Sequence, residues 1–144
     1  MMHAKANDII SVATGLVGVP YRHQGRSQVG LDCAGLIIVV GQMLGVMGPE
    51  AAGTKAYPRR PNAPKFTAAM IAAGLVERPY GSQEHGDILR INTVGWPVHL
   101  GLYEIDEKGE EWYIHAYLPH KKVTRDPLTR EVKRTISSVW RYFE

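Results

Sequence analysis

One stretch limits what this chain can fold into more than any other. From Asp32 to about Val46 it is almost wholly apolar, and it opens on Asp32-Cys33-Ala34-Gly35-Leu36. Its longest apolar run, Leu36 to Met47, is broken by Gly41, Gln42 and Gly45. That falls short of the roughly 20 residues a membrane-spanning helix needs, so no membrane insertion is expected. A helix apolar on all sides is instead a central, buried one. Asp32 is a good N-cap residue, which places Cys33 in the first turn of that helix.

The flanking segments must then wrap this helix. Ala4 to Val17 carries Ile9, Ile10, Val12, Ala13, Leu16 and Val17 at close to helical spacing, and Gly18-Val19-Pro20 ends it. A polar, glycine-containing loop spans Arg22 to Gly30. Gly48 to Pro64 holds four of the nine prolines and reads as an irregular excursion. Lys65 to Leu75 reads as a short third helix. Strand patterns follow at Gly86–Ile91, Val98–Ile105 and Glu111–Leu118, with Lys121–Arg125 and Val139–Phe143 closing the sheet. Helices first and antiparallel strands second predict an α+β fold. At 144 residues the expectation is one domain over 1–144.

Composition removes several function classes. A single cysteine excludes an intramolecular disulfide and a multi-cysteine metal cluster. The net charge of +3 is a mild basic bias, and no nucleic-acid docking motif accompanies it, so no nucleic-acid partner is expected. The first eight residues are polar and lack the apolar core of a secretory signal. The protein is therefore expected to be made in the cytoplasm without a signal peptide.

Cys33 is the first candidate for chemistry. Free cysteine is often a plain core residue. Here the unpaired N–H groups and the dipole of the helix start favour a thiolate, and Ala34 and Gly35 leave room for a substrate. His99 is the second. Val98, Leu100 and Leu102 share one face of its strand, and His99, Gly101 and Tyr103 share the other. A lone cysteine with a histidine elsewhere is the pattern of a thiol nucleophile and its base. His115, on the next strand, is the third. A three-residue loop at Asp106–Lys108 sets His99 directly opposite His115, where it can orient the imidazole. A two-residue Lys108-Gly109 turn faces His99 towards Leu118 instead, and the sequence leaves both registers open. His3, His23, His85 and His120 read as surface or loop residues. His99, His115 and Asp32 have the ligand types of a metal site, but no short His-x-His or His-x-x-x-His spacing supports one, so no metal is expected, and no cofactor. Lys121, Lys122, Arg125, Arg130, Lys133 and Arg134 read as a solvated face, or as an anion-attracting rim.

Five segments in order carry a resemblance: Pro20–Gly25, Leu31–Leu36, Gly86-Asp87-Ile88, His99–Tyr103 and Ile114-His115-Ala116. Together they resemble the NlpC family of cell-wall cysteine peptidases, and the Tyr-Arg-His-Gln-Gly-Arg and Asp-Cys-Ala-Gly-Leu variants are similar to the branch found in tailed bacteriophages and gene transfer agents. The resemblance implies a papain-like fold and hydrolysis of amide bonds in peptidoglycan stem peptides, often between γ-linked D-glutamate and a diamino acid. It implies Cys33 as nucleophile, His99 as base, His115 as the orienting residue, Tyr21 near the oxyanion and Asp32 as the acidic residue before the nucleophile. Ala34 stands where many members carry a serine that, in some, helps hold the stem's free amine. Phage tail proteins are the implied partners, with action in the periplasm from the virion. Two other readings fit the same residues: a tail-tip assembly protein that retains the peptidase fold, and a thiol amidase or acyltransferase acting on another amide.

Overall fold

The computed structural model describes residues 2–47, 63–93 and 96–142, so all but the last two residues of the Gly48–Pro64 excursion lie outside the described residues. Helix α1 (Met2–Gly15) buries Ile9, Ile10 and Ala13, and Leu16 in the turn just after it continues the stripe that the spacing predicts. Strands β1 (Arg26–Ser27) and β2 (Gly30–Leu31) form a small hairpin that leads into α2 (Cys33–Met43). Every residue of α2 from Cys33 to Gly41 is buried, as a uniformly apolar helix requires. Helix α3 (Ala63–Ala72) follows, and then β3 (Val76–Arg78), which the sequence reading did not contain.

The sheet is completed by β4 (Ile88–Thr93), β5 (Trp96–Ile105), β6 (Glu111–Tyr117), β7 (Lys122–Pro127) and β8 (Ile136–Arg141). Its order is β3-β8-β4-β5-β6-β7, antiparallel at every junction. A short helix α4 (Arg130–Lys133) joins β7 to β8, where the sequence had shown only a charged surface. Part of that charge is paired: Arg125 bridges Glu104 and stacks on Trp112, and Lys133 meets Glu111.

Alternation along the strands separates two apolar layers. Val98, Leu100, Leu102, Ile114, Ala116 and Val123 face α1 and α2 in the main core. Leu89, Ile91, Tyr103, Tyr113, Leu128, Ile136 and Val139 form a smaller cluster on the opposite face. His99 lies four residues before Tyr103 and His115 two after Tyr113, so both histidines belong to this second face.

The hairpin between β5 and β6 fixes their relative position, and it matches neither expected register. The pairs run from Ile105↔Glu111 to Leu102↔Ile114, with Asp106 and Glu110 hydrogen-bonded across the base of the turn. Gly109 takes the left-handed φ of +80° that this turn needs, which shifts the loop one residue beyond the three-residue option. Asp106 Oδ1 caps the loop by accepting from the N–H groups of Lys108 and Glu110. Continued along the strands, this register leaves Gly101 opposite His115, and His99 one diagonal step away on the same face. The expectation that His99 and His115 stand directly opposite is therefore corrected. A shift of two residues keeps the face, and a histidine side chain spans the diagonal.

The β1–β2 hairpin presses on the start of α2. A Cβ built on Gly35 would sit 1.9 Å from the Gly25 carbonyl oxygen, a backbone atom that no rotamer change can move. Gly35→Ala is expected to cost about 1–3 kcal/mol through overpacking. The melting temperature should fall by roughly 3–12 °C. An unchanged melting temperature contradicts the close loop–helix contact.

Candidate active site

Asp32 sets where α2 begins. Its carboxylate accepts from the Gly35 N–H at 2.7 Å, the N-cap bond that the sequence predicts. It also accepts from the Gln24 N–H at 2.8 Å and pairs with Arg26 at 3.1 Å, and both side chains are nearly fully buried. Gln24 pays a strained φ of +59° to deliver that N–H. Asp32 thus locks the loop to the helix, and its oxygens are engaged with the protein. Tyr21 lies alongside: it bridges Leu31, its N–H donates to the Lys121 carbonyl, and its side chain packs on the main core.

Cys33 is only 6% exposed at the first turn of α2. Its sulfur reaches the sheet through a gap in the ladder. Tyr103 N–H donates to Asp87 O on the β4 side, so by alternation the Leu100 N–H points the other way, towards β6. Paired positions between β5 and β6 extend only to Leu102↔Ile114. The Leu100 N–H lies beyond them and meets the Cys33 sulfur, as does the N–H of Ala34. The thiol thereby meets β5 at the residue next to His99, in the stretch beyond its paired positions with β6.

The imidazoles form a chain across three strands. His99 Nε2 and His115 Nδ1 are 2.7 Å apart, and the rings meet edge to face. His115 Nε2 is 2.7 Å from Asp126 Oδ2, and the Thr124 hydroxyl donates to that same oxygen at 2.8 Å. The pairs His115↔Thr124 and Tyr113↔Asp126 make this a second diagonal step, from β6 to β7. Tyr113 and Tyr117 flank the His115 ring, with centroids 4.0 Å and 4.9 Å away. Asp126 is the residue that the sequence reading missed. Its strand was expected to end at Arg125, one position too soon. Alternation carried one residue further would have put Asp126 on the face of His115.

Electrostatics at rest correct a second expectation. Burial pushes the Cys33 thiol up to about 12, with the Asp32 charge adding to it. The Leu100 and Ala34 N–H groups and the Arg26 charge pull down but do not win. Burial and the neighbouring His115 bring His99 down to about 3. The closed site at neutral pH therefore holds a neutral thiol and a neutral imidazole, not the thiolate favoured by the helix start alone. His115 is also held below its ordinary value by burial, against the pull of Asp126. For Asp126, desolvation pulls upward and is outweighed by the hydrogen bonds from His115 and Thr124, so the carboxyl is held below its usual range. Among the described residues no group of three or more His, Cys, Asp or Glu side chains is arranged to hold a metal ion. Nor is any described helix long and apolar enough to cross a membrane.

A raised thiol pKa has a direct readout. Without substrate, alkylation of Cys33 by iodoacetamide should be slow at pH 7 and rise about tenfold per pH unit through pH 9, because the thiolate fraction grows in that proportion. A rate that is already on a plateau at pH 7 contradicts the neutral resting pair.

The chain resembles known proteins in sequence and in fold. The pattern of the NlpC/P60 family matches residues 18–141. Dipeptidyl-peptidase 6 of Lysinibacillus sphaericus is 26% identical over 131 residues, which is 90% of this chain and 39% of that protein. The chain thus spans about two fifths of that curated relative. Among solved structures, the NlpC/p60 domain of the peptidoglycan hydrolase SagA superposes with a TM-score of 0.57 at 21% identity, covering 85% of this chain and 89% of that one. An NlpC/P60 family protein from Bacillus cereus ATCC 10987 superposes with a TM-score of 0.66 at 22% identity, covering 96% of this chain and 40% of that one. These two establish the papain-like fold. The family match runs from the end of the first helix to the last strand and takes in Cys33, His99 and His115, and the chain belongs to the NlpC/P60 family of cysteine peptidases.

Proposed function

We propose that this chain is a peptidoglycan endopeptidase that cuts amide bonds of cell-wall stem peptides, with Cys33 as nucleophile, His99 as general base and acid, and His115 as the residue that orients His99. The observation that carries the reading is the 2.7 Å contact between His99 Nε2 and His115 Nδ1, with the Cys33 sulfur on the backbone N–H of Leu100, the residue after His99. With Nε2 so engaged, Nδ1 is the ring nitrogen left for the thiol. A relative named a dipeptidyl-peptidase and a structural neighbour named a peptidoglycan hydrolase support the same substrate class.

The mechanism follows from the neutral resting pair. As a stem-peptide carbonyl approaches, His99 Nδ1 takes the proton from Sγ and the sulfur attacks the carbonyl carbon. Negative charge develops on the carbonyl oxygen, where the backbone N–H of Cys33 and the Tyr21 hydroxyl stabilise it. The imidazolium of His99 returns its proton to the leaving amine, the C–N bond breaks and a thioester remains. Water, deprotonated by His99, then releases the acid and restores the thiol.

The bond favoured is that between γ-linked D-glutamate and a diamino acid, and the setting is a phage tail that opens the wall locally from the virion. The Tyr21–Arg26 and Asp32–Leu36 sequence variants support that setting. The absence of a hydroxyl at Ala34 leaves the stem's free amine less firmly held.

Mass spectrometry of purified muropeptides incubated with the protein tests this. Wild type should release fragments split within the stem, and Cys33→Ala and His99→Ala should each abolish release. His115→Ala should lose roughly 10- to 100-fold, the scale expected for an orienting partner. His115→Asn, which still hydrogen-bonds, should keep much more activity than His115→Ala. Intact muropeptides with folded wild-type protein would remove the endopeptidase reading in favour of an assembly role or another amide.

A further inference from the structure

The relay does not stop at His115, and its last member decides which nitrogen of His99 is basic. A carboxylate only accepts hydrogen bonds. The 2.7 Å contact between Asp126 Oδ2 and His115 Nε2 therefore places the His115 proton on Nε2. A neutral His115 then presents a lone pair at Nδ1. The 2.7 Å contact between the two rings needs one proton, which His99 Nε2 must supply. His99 is left with a lone pair on Nδ1, the nitrogen not engaged by His115. Were the order reversed, His115 Nδ1 would donate, His99 would carry its proton on Nδ1, and it could not accept from a thiol.

We propose that Asp126 is a positioning residue that fixes the tautomers of both histidines, holding His99 Nδ1 as a proton acceptor, with Thr124 in turn holding the Asp126 carboxylate. The placement supports this. Thr124 and Asp126 occupy alternate positions on one face of β7, the edge strand of the sheet, and each faces His115 directly or diagonally. The Thr124 hydroxyl donates to the same Oδ2 that meets His115, so that oxygen is held in place from behind. Tyr113 and Tyr117 hold the ring of His115 from its two sides and leave its nitrogens facing the two neighbouring strands. Asp126 touches neither Cys33 nor His99. Its influence passes through two hydrogen bonds, and that separates it from a catalytic residue.

The consequence for turnover rests on the endopeptidase reading, whereas the tautomer assignment does not. The test is a two-bond proton–nitrogen correlation spectrum of the histidine rings in the 15N-labelled chain at neutral pH. In wild type both His99 and His115 should carry the proton on Nε2. Asp126→Ala removes the acceptor. Asp126→Asn keeps the size but adds a donor, so either variant should give mixed or reversed tautomers. Asp126→Glu, still an acceptor only, should restore the wild-type pattern. On muropeptides, kcat of Asp126→Ala and Asp126→Asn should fall roughly 10- to 100-fold with KM changed less than about twofold. Asp126→Glu should recover most of that loss.

A His99 ring that stays wholly protonated on Nε2 in both Asp126→Ala and Asp126→Asn overturns the assignment. So does a loss confined to KM. Should Asp126→Ala fail to fold, the size-matched Asp126→Asn decides by the same criteria. If wild type cuts no muropeptide, the spectra still decide the tautomers, and the two claims fail separately.

Discussion

The buried carboxylate of Asp32 is the constraint on which the site depends. It caps α2 through Gly35, anchors the preceding loop through Gln24 and pairs with Arg26, all within one desolvated spot. Removing one partner of such a buried pair costs about 3–5 kcal/mol, because the other charge is left without compensation. The cap therefore does more than start a helix. It brings the β1–β2 hairpin close enough that Gly35 has no room for a side chain, and it fixes Cys33 where its sulfur can reach the Leu100 N–H. The same negative charge works against a thiolate one residue away. Structural rigidity at the helix start and easy ionisation of the Cys33 thiol are in conflict, and the structure resolves the conflict in favour of rigidity.

In the proposed mechanism, that choice makes the histidine chain necessary. With a neutral thiol at rest, proton removal has to happen during attack, and the base must offer the correct nitrogen at that moment. The sheet meets this need through geometry alone. His99, His115 and Asp126 sit on adjacent strands at successive diagonal positions of one face, and each contact is 2.7 Å. Pro127 ends β7 just past Asp126, which an edge strand tolerates because it needs no further N–H donor on its open side.

Much of this was legible in the sequence. The buried helix, its Asp32 cap and the helices-then-strands order all follow from apolar spacing and capping chemistry, signals that report local structure, whereas the shared face of His99 and His115 followed from only one of the two open registers. The register of the β5–β6 hairpin was not legible. It depended on which residue of Asp106–Glu110 took the left-handed conformation, and several loops satisfied the same alternation. Asp126 escaped for a related reason, since it becomes visible only once β7 is paired residue by residue with β6. Strand β3 and helix α4 are too short to show a period. The charge state of Cys33 was misread because the sequence shows the helix start but not the desolvation that outweighs it.

On the proposed endopeptidase reading, a thiol too buried and too weakly acidic to react quickly at rest becomes a nucleophile when a stem peptide is seated beside it. The most direct test is an affinity label: a γ-D-glutamyl–diamino acid stem peptide with a vinyl sulfone in place of the scissile amide, followed by intact-mass analysis and peptide mapping. Saturable inactivation at neutral pH is expected, with one adduct, on Cys33, formed far faster than the reaction of the same thiol with iodoacetamide. Labelling no faster than iodoacetamide, or an adduct on any other residue, would contradict it.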